Sequence, residues 1–321
     1  MKYYFAPMEG ITLYPLRNTH SKFFSHTIDS YYTAFLTAPK TGKFKKREKR
    51  DVAVFTENVV PQIMAGSADN FIWAAKEMLS LGYEEINLNL GCPAPTVTNR
   101  HKGAGLLTDQ SNLDEMLSKI FSEEFLQGKV SVKSRLGFSD EAEYPALMEI
   151  FSKYPIKELT IHARVRDDFY KGTPRIEAFF DAIKCYKRCG GSAKICYNGD
   201  IFGKKDLENI LNISGKDEDF RIDAIMLGRG LLQNPALARE LKGGSSLNST
   251  ELKKYLNTLY TEYEKIIPEE RNVIFKLLEH WAFVHVHFSD CEKELKEIRK
   301  ARSKAEYLAA VNNIFASCEF I

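Results

Sequence analysis

Three side chains able to move protons or hold charge stand at the ends of short apolar segments: Cys92 after "EINLNLG", Lys133 within "KVSVKSR" and His162 within "ELTIHA". Lys133 lies between Val132 and Ser134, where an ammonium group turned inward is costly unless an anion partners it. The alternative is a stem that snorkels outward to water. His162 suits hydrogen-bonding or acid–base work near neutral pH, or else a core imidazole bonded to a backbone carbonyl. Cys92 has three readings: a small buried hydrophobe, a nucleophile with His101 as its base, or a general acid. An ordinary thiol, with a pKa of about 8.5, keeps its proton at neutral pH, which suits the acid role. Gly91 and Pro93 on either side would hold it rigidly.

Such residues need a scaffold that gathers strand ends. Segments near Tyr4, Tyr32, Gln62, Asn87, Lys133, His162, Cys196 and Met226 read as strands. Stretches between them, such as "ADNFIWAAKEMLSLGY" and "RIEAFFDAIKCYKRCG", carry helical periodicity. The alternation predicts an α/β fold, a (β/α)8 TIM barrel over residues 1–241, with a doubly wound open sheet as the competitor. "KGGSSLNST" then breaks the pattern and offers Ser249 or Thr250 as a helix N-cap. Residues 249–321 hold no strand candidate and read as a small C-terminal all-helical domain, with Pro268 between its first two helices.

In such a barrel the functional groups collect at the C-terminal strand ends. Here those ends carry Pro7 and Met8, Gln62, Asn89 and Cys92, Lys133 and Arg135, His162 and Arg164, "NGD" (Asn198, Gly199, Asp200) and "GRG" (Gly228, Arg229, Gly230). The last two strand ends are where barrels bind phosphate through loop amides, with glycines giving close approach and Arg229 adding charge. "GAGLL" and "GRGLL" lack the third small residue and the context of a dinucleotide fold, which excludes a Rossmann domain. A lysine beside a phosphate cradle, with Gln62 and Asn89 nearby, suits FMN, whose reduced ring carries negative charge that Lys133 would stabilise.

"APMEGIT", "PQIMAG", "NLNLGCPAPTVTNRHKGAGLL", "VSVKSRLGF", "TIHARVRDDFYKG", "YNGDI" and "LGRGLLQNP" occur in this order across most of the first 240 residues. Together they resemble the bacterial-type tRNA-dihydrouridine synthases. The resemblance implies FMN-dependent reduction of the C5–C6 bond of a uridine in tRNA, with NADPH as electron donor and NADH as the alternative. It also implies that Cys92 protonates C5 while hydride goes to C6. Pro7, Met8, Gln62, Lys133 and His162 would contact the flavin, and Asn198, Gly199, Asp200, Gly228 and Arg229 would form its phosphate end. Asn89 would lie between flavin and uracil, with Arg164 and Arg166 near substrate or phosphate. The helical domain, which matches only in general character, would orient tRNA.

The distribution of charge agrees better than its sum. A net charge of +2 over 321 residues announces no nucleic-acid partner. "KTGKFKKREKR", from Lys40 to Arg50, nevertheless has seven basic residues and one acidic one. Its Lys43, Lys45 and Lys46 are expected to meet the phosphate backbone from a flexible arm, unless the segment is an ordinary solvated loop. Arg100, Lys102, Arg135, Arg164 and Arg166 add basic groups to the predicted rim. Six cysteines without zinc-like spacing point to free thiols, a reducing cytoplasmic setting and no metal. The absence of a long apolar run argues against a membrane span, and a monomer is expected. An FMN barrel acting on a free pyrimidine and a non-catalytic RNA-binding barrel are the competing functions.

Overall fold

The computed structural model describes residues 1–39, 42–53, 58–214 and 221–321. Strands β1 (Lys2–Phe5), β2 (Ser30–Tyr32), β3 (Leu36–Thr37), β4 (Val59–Val60), β5 (Gln62–Met64), β6 (Ile86–Asn89), β7 (Val130–Gly137), β8 (Glu158–Val165), β9 (Lys194–Asn198) and β10 (Ala224–Leu227) form one sheet. Every pairing in it is parallel. The first strand pairs with the last, Lys2 opposite Ala224 and Phe5 opposite Leu227, so the sheet curls into a barrel and the open-sheet alternative fails.

Its closure runs through two interrupted strands. The segment 30–37 supplies β2 and β3, and the segment 59–64 supplies β4 and β5; β2 pairs with β4 and β3 with β5. Pro61, between β4 and β5, has no N–H to give the ladder. The Thr33 hydroxyl accepts the Gln62 N–H at 3.0 Å where the regular ladder lapses. Counted this way the ten short strands are eight, as the alternation predicted.

The barrel interior is divided in character. Tyr4, Ala6, Tyr32, Val60, Cys196, Ala224 and Met226 pack into one buried cluster, and the hydroxyls of Tyr4 and Tyr32 donate to the buried Glu158 carboxyl at 2.7 and 3.3 Å. The other side is a ladder of polar side chains. Ser131 donates to Glu85 at 2.7 Å and accepts from Asn87 at 3.0 Å; Gln62 donates to Asn87 at 2.7 Å and accepts from Asn89 at 2.6 Å. Asn87 and Asn89 share a face because strand side chains alternate.

Contacts group the chain into two compact units. One comprises 1–10, 29–200 and 205–228, and holds the barrel strands. The other comprises 11–28, 201–204 and 229–321, a division that falls elsewhere than the expected domains 1–241 and 249–321. In this second unit the helix Tyr14–Phe23 packs on the helix Ser249–Glu264, with the Phe23 ring edge-on to Tyr255 at 5.7 Å. The helices Glu270–Val284, Glu292–Lys300 and Lys304–Ser317 complete it around Tyr260, Tyr263, Trp281 and Tyr307. The N-cap of Ser249–Glu264 is Asn248, whose side chain accepts the Glu251 N–H at 2.9 Å; Ser249 and Thr250 already lie inside the helix.

The basic stretch is not an arm. Lys46–Ala53 is a helix, and the residues that hold it down are Phe44, Glu48, Asp51 and Val52, all buried. The Phe44 ring meets Trp73 at 5.0 Å, and the Glu48 carboxylate accepts the N–H groups of Thr37 at 3.2 Å and Lys45 at 2.9 Å. Lys43, Lys45, Lys46, Arg47, Lys49 and Arg50 are left exposed. Lys40, also counted in the basic cluster, lies outside the described residues.

Candidate active site

Strands β5 to β9 and the loops that follow them carry Gln62, Asn89, Cys92, Lys133, Arg135, His162, Arg164, Asn198 and Asp200, with Gln62 opening β5 and Lys133 and His162 at mid-strand. Cys92 sits in a turn whose polar backbone groups are all engaged. The Asn89 side-chain oxygen accepts the N–H groups of Gly91 at 3.1 Å and Cys92 at 2.7 Å. The Gly91 carbonyl accepts from Arg135 Nε at 2.7 Å, the Cys92 carbonyl from the Ala104 N–H at 3.1 Å, and the Pro93 carbonyl from Arg166 Nε at 3.1 Å. The glycines of "GAGLL" serve this packing. A Cβ on Gly103, whose φ is +54°, would lie 2.9 Å from the Cys92 carbonyl oxygen, and one on Gly105 would lie 2.5 Å from that of Thr98.

The thiol is half-buried, and that burial pushes its pKa above the ordinary thiol value; Glu9 pushes the same way, against the Ala94 N–H and the charges of Arg135 and Lys133. A protonated thiol is therefore the resting form at neutral pH. Lys133 stands in register with Asn89 on one side and Thr160 on the other. The charges of Arg135, Cys196 and Cys92 act on it, and Cys196 belongs to the buried barrel cluster, so the lysine does not snorkel outward. Burial, then the Arg135 charge, lowers its pKa to about 7, and no carboxylate pairs with it among the described residues. A desolvated cation without an anion is unfavourable in the protein alone and favourable once an electron-rich group lies against it.

His162 is also buried, and one of its partners is an arginine. Arg164 Nη1 lies 3.1 Å from His162 Nε2. A guanidinium can only donate, so Nε2 is the acceptor and the ring is neutral with its hydrogen on Nδ1. Arg164 also donates to the carbonyls of Lys171 (3.1 Å) and Gly172 (2.6 Å) and to Asp200 Oδ2 (2.6 Å). Arg135 adds the carbonyls of Val165 and Phe169 to that of Gly91. Arg166 reaches Thr98 and Asp167 as well as Pro93. The three rim arginines expected near substrate are thus engaged in holding loops.

The remaining expected residues are placed as follows. Pro7 and Met8 follow β1 and are half-buried. Asn198 ties β9 to β10 by donating to the Met226 carbonyl at 2.8 Å. Gly199 has a packing reason, since a Cβ there would strike the Tyr197 hydroxyl. Gly228 has none of that kind: a Cβ would make ordinary contacts at 3.6 Å with Ala6 and 3.7 Å with Met8. Arg229 opens the short helix Arg229–Gln233 of the second unit. Lys102 is half-buried with its stem against Gly66, and Arg100 is exposed. Asn87, Ser131, Thr98 and Tyr170 were not anticipated. The Tyr170 ring, 47% exposed, lies 6.2 Å from the His162 ring and 5.6 Å from the Arg135 guanidinium.

Among the described residues no cluster of His, Cys, Asp and Glu could hold a metal ion, and no helix is long and apolar enough to cross a membrane. All six cysteines are free.

Known proteins share both fold and sequence with this chain. A variant of NCR from Zymomonas mobilis superposes with a TM-score of 0.52 at 13% identity, covering 82% of this chain and 92% of that one. Morphinone reductase, solved with tetrahydroNAD, gives 0.52 at 11% identity over 77% and 88%. Sequence carries the comparison further. "Probable tRNA-dihydrouridine synthase 2" of Bacillus subtilis is 28% identical over 265 residues, 81% of this chain and 78% of that protein. "Probable tRNA-dihydrouridine synthase" of Staphylococcus aureus is 25% identical over 324 residues, 98% and 93% of the two chains. The family model described as "Dihydrouridine synthase (Dus)" matches residues 4–317, a span that contains the clamped cysteine turn, the unpaired lysine and every strand from β2 to β10, and the chain belongs to that family.

Proposed function

We propose that the protein is an FMN-dependent tRNA-dihydrouridine synthase, reducing the C5–C6 double bond of a uridine in tRNA with electrons from NADPH, or from NADH in its place. The family is one of oxidoreductases, and the chain is an enzyme of that class. The observation that carries the finer reading is a protonated, half-buried thiol held rigidly beside an ammonium group that has no carboxylate.

The residues fit FMN. Lys133 offers charge, and the side-chain amides of Gln62 and Asn89 each retain one N–H beyond the ladder, all suited to an electron-rich ring bearing carbonyls. Pro7, Met8 and His162 would line the same end, and Asn198, Asp200, Gly228 and Arg229 the phosphate end, with Gly199 keeping the Tyr197 ring in place. Bound FMN would supply hydride for C6 of the uridine. Cys92 gives its proton to C5, so that hydride and proton together saturate the bond, and the thiolate left behind regains a proton from water. Raising the thiol pKa keeps the proton in place until a carbanionic carbon arrives to take it. Asn89 holds the cysteine turn with its oxygen, while its nitrogen donates to Gln62 at 2.6 Å and keeps one N–H for a ligand.

The uridine must leave its stack to reach the barrel mouth. Arg100 and Lys102, on the segment after Cys92, would meet its flanking phosphates, and Lys43, Lys45 and Lys46 would meet backbone farther along. Residues 249–321 would orient the tRNA, and the reaction belongs in the cytoplasm, where tRNA resides.

The purified protein should be yellow and release FMN on denaturation. tRNA from cells lacking the gene should lose dihydrouridine at one position, restored by the wild-type gene. With Cys92→Ala, reoxidation of the pre-reduced flavin by saturating tRNA should slow by about 10²- to 10⁴-fold with tRNA affinity kept. Unchanged single-turnover product would remove Cys92 from the acid role, and a colourless protein that cannot be reconstituted would overturn the whole reading.

A further inference from the structure

Arg166 is spent almost wholly on the turn that carries the thiol. Its Nε donates to the Pro93 carbonyl at 3.1 Å and its Nη2 to the Thr98 hydroxyl at 3.0 Å, so one planar group spans both ends of the segment following Cys92. Its Nη1 is paired with Asp167 at 2.8 Å, and Asp167 is itself held by the Ser139 hydroxyl at 2.8 Å. The guanidinium lies between two rings, 4.9 Å from Phe138 and 5.0 Å from Phe169. With its charge paired and its faces covered, it has little left to offer a phosphate.

Phe169 couples this group to the second arginine of the clamp. Its φ is +51°, a left-handed conformation unusual for a bulky residue. In that conformation its ring stacks on Arg166 while its carbonyl accepts from Arg135 Nη1 at 3.0 Å. Arg135 in turn holds the Gly91 carbonyl. The carbonyls on both sides of Cys92 are therefore fixed by Arg135 of β7 and by Arg166 just past the end of β8, and a single strained residue binds those arginines together.

We propose that Arg166 is a positioning residue for the Cys92 thiol, acting through the Pro93 carbonyl and the Thr98 hydroxyl rather than on RNA. The consequence for catalysis rests on Cys92 being the proton donor; the consequence for the thiol itself does not. Arg166→Lys keeps the charge but cannot span both acceptors or stack between two rings. Thr98→Val removes only the hydroxyl.

The test measures four quantities on purified protein: the single-turnover rate at saturating tRNA, tRNA affinity against salt, the rate of flavin reduction by NADPH, and alkylation of Cys92 by iodoacetamide with the exposed Cys189 as internal reference. For Arg166→Lys the single-turnover rate should fall about ten- to a hundredfold, the scale of a small misplacement of a reacting group. Affinity, salt slope and flavin reduction should hold, and Cys92 should alkylate at least about threefold faster relative to Cys189. Thr98→Val should move the same quantities less, and the double variant should be no worse than Arg166→Lys alone. In Arg166→Gln, which removes the charge, an unchanged saturated rate with weaker binding and a salt slope reduced by about one would make Arg166 a phosphate contact and overturn the proposal. Unchanged alkylation together with an unchanged rate would also overturn it. If the wild-type protein makes no dihydrouridine while Cys92 alkylation still responds, the functional reading fails and the clamp stands.

Discussion

Replacing Glu158 by glutamine should make the protein more stable, and only above a definable pH. Its carboxyl is 5% exposed inside the barrel, with two phenols donating to it. Burial raises its pKa from the ordinary 4.5 to about 7; Glu85 adds to the rise and the phenols oppose it. Between those two pH values the folded protein holds a proton that the unfolded chain has released, so stability falls as pH rises through the window and then levels off. At about 1.36 kcal/mol per pH unit, the full cost above pH 7 is about 3 kcal/mol. Glutamine keeps the shape and stays neutral but accepts weaker hydrogen bonds than a carboxylate, a loss of about 1 kcal/mol. The net gain at pH 8 should then be about 2 kcal/mol, or a rise of about 3 °C in Tm for a protein of this size. Near pH 5 the wild-type carboxyl is already neutral and the gain should vanish. Thermal unfolding of both proteins from pH 5 to 8.5 decides the matter. A constant difference across that range, or a variant less stable at pH 8, would refute the argument.

Two further substitutions test the site from opposite sides. Lys133→Met should stabilise the flavin-free protein at pH 7 while weakening FMN binding at least tenfold. A lysine whose folded pKa is about 7 costs stability in full below that pH, and the cost shrinks as pH rises from about 7 to its ordinary 10.5; differential scanning with and without FMN checks both signs. Changing Lys43, Lys45 and Lys46 together to glutamate should weaken tRNA binding and flatten its dependence on salt by about two to three in log–log slope. Circular dichroism should meanwhile show the helix kept, since Phe44 and Glu48 do the anchoring.

The sequence announces the rim because Asn89, Lys133 and His162 interrupt short apolar strand segments, the first of them just before Gly91 and Pro93. It hides the interior. Glu158 opens "ELTIHA" and reads as a solvent-facing start of strand, yet two tyrosines from distant segments close over it. The spacing of Asn87 and Asn89 in "NLN" was enough to put both on one face, but not to join them to Gln62 and Ser131. Arg135, Arg164 and Arg166 read as a basic surface because their partners are backbone carbonyls, which carry no mark in a sequence. The basic helix escaped detection for a related reason: two of its three inward residues, Glu48 and Asp51, are carboxylates, so no apolar stripe shows. At Asn248–Ser249–Thr250 three good capping residues stand in a row, and only the fold selects among them.

The pairing of the first strand with the last has a consequence for how the chain is made. During synthesis Lys2–Phe5 leaves the ribosome early, while its partner Ala224–Leu227 follows more than two hundred residues later. Throughout that interval the strand exposes one hydrogen-bonding edge, with Tyr3, Tyr4 and Phe5 upon it, and this is the kind of edge that recruits other chains. Ribosome-stalled fragments ending before Ala224 should therefore depend on chaperones, and that dependence should end once Leu227 has emerged and the ring can close.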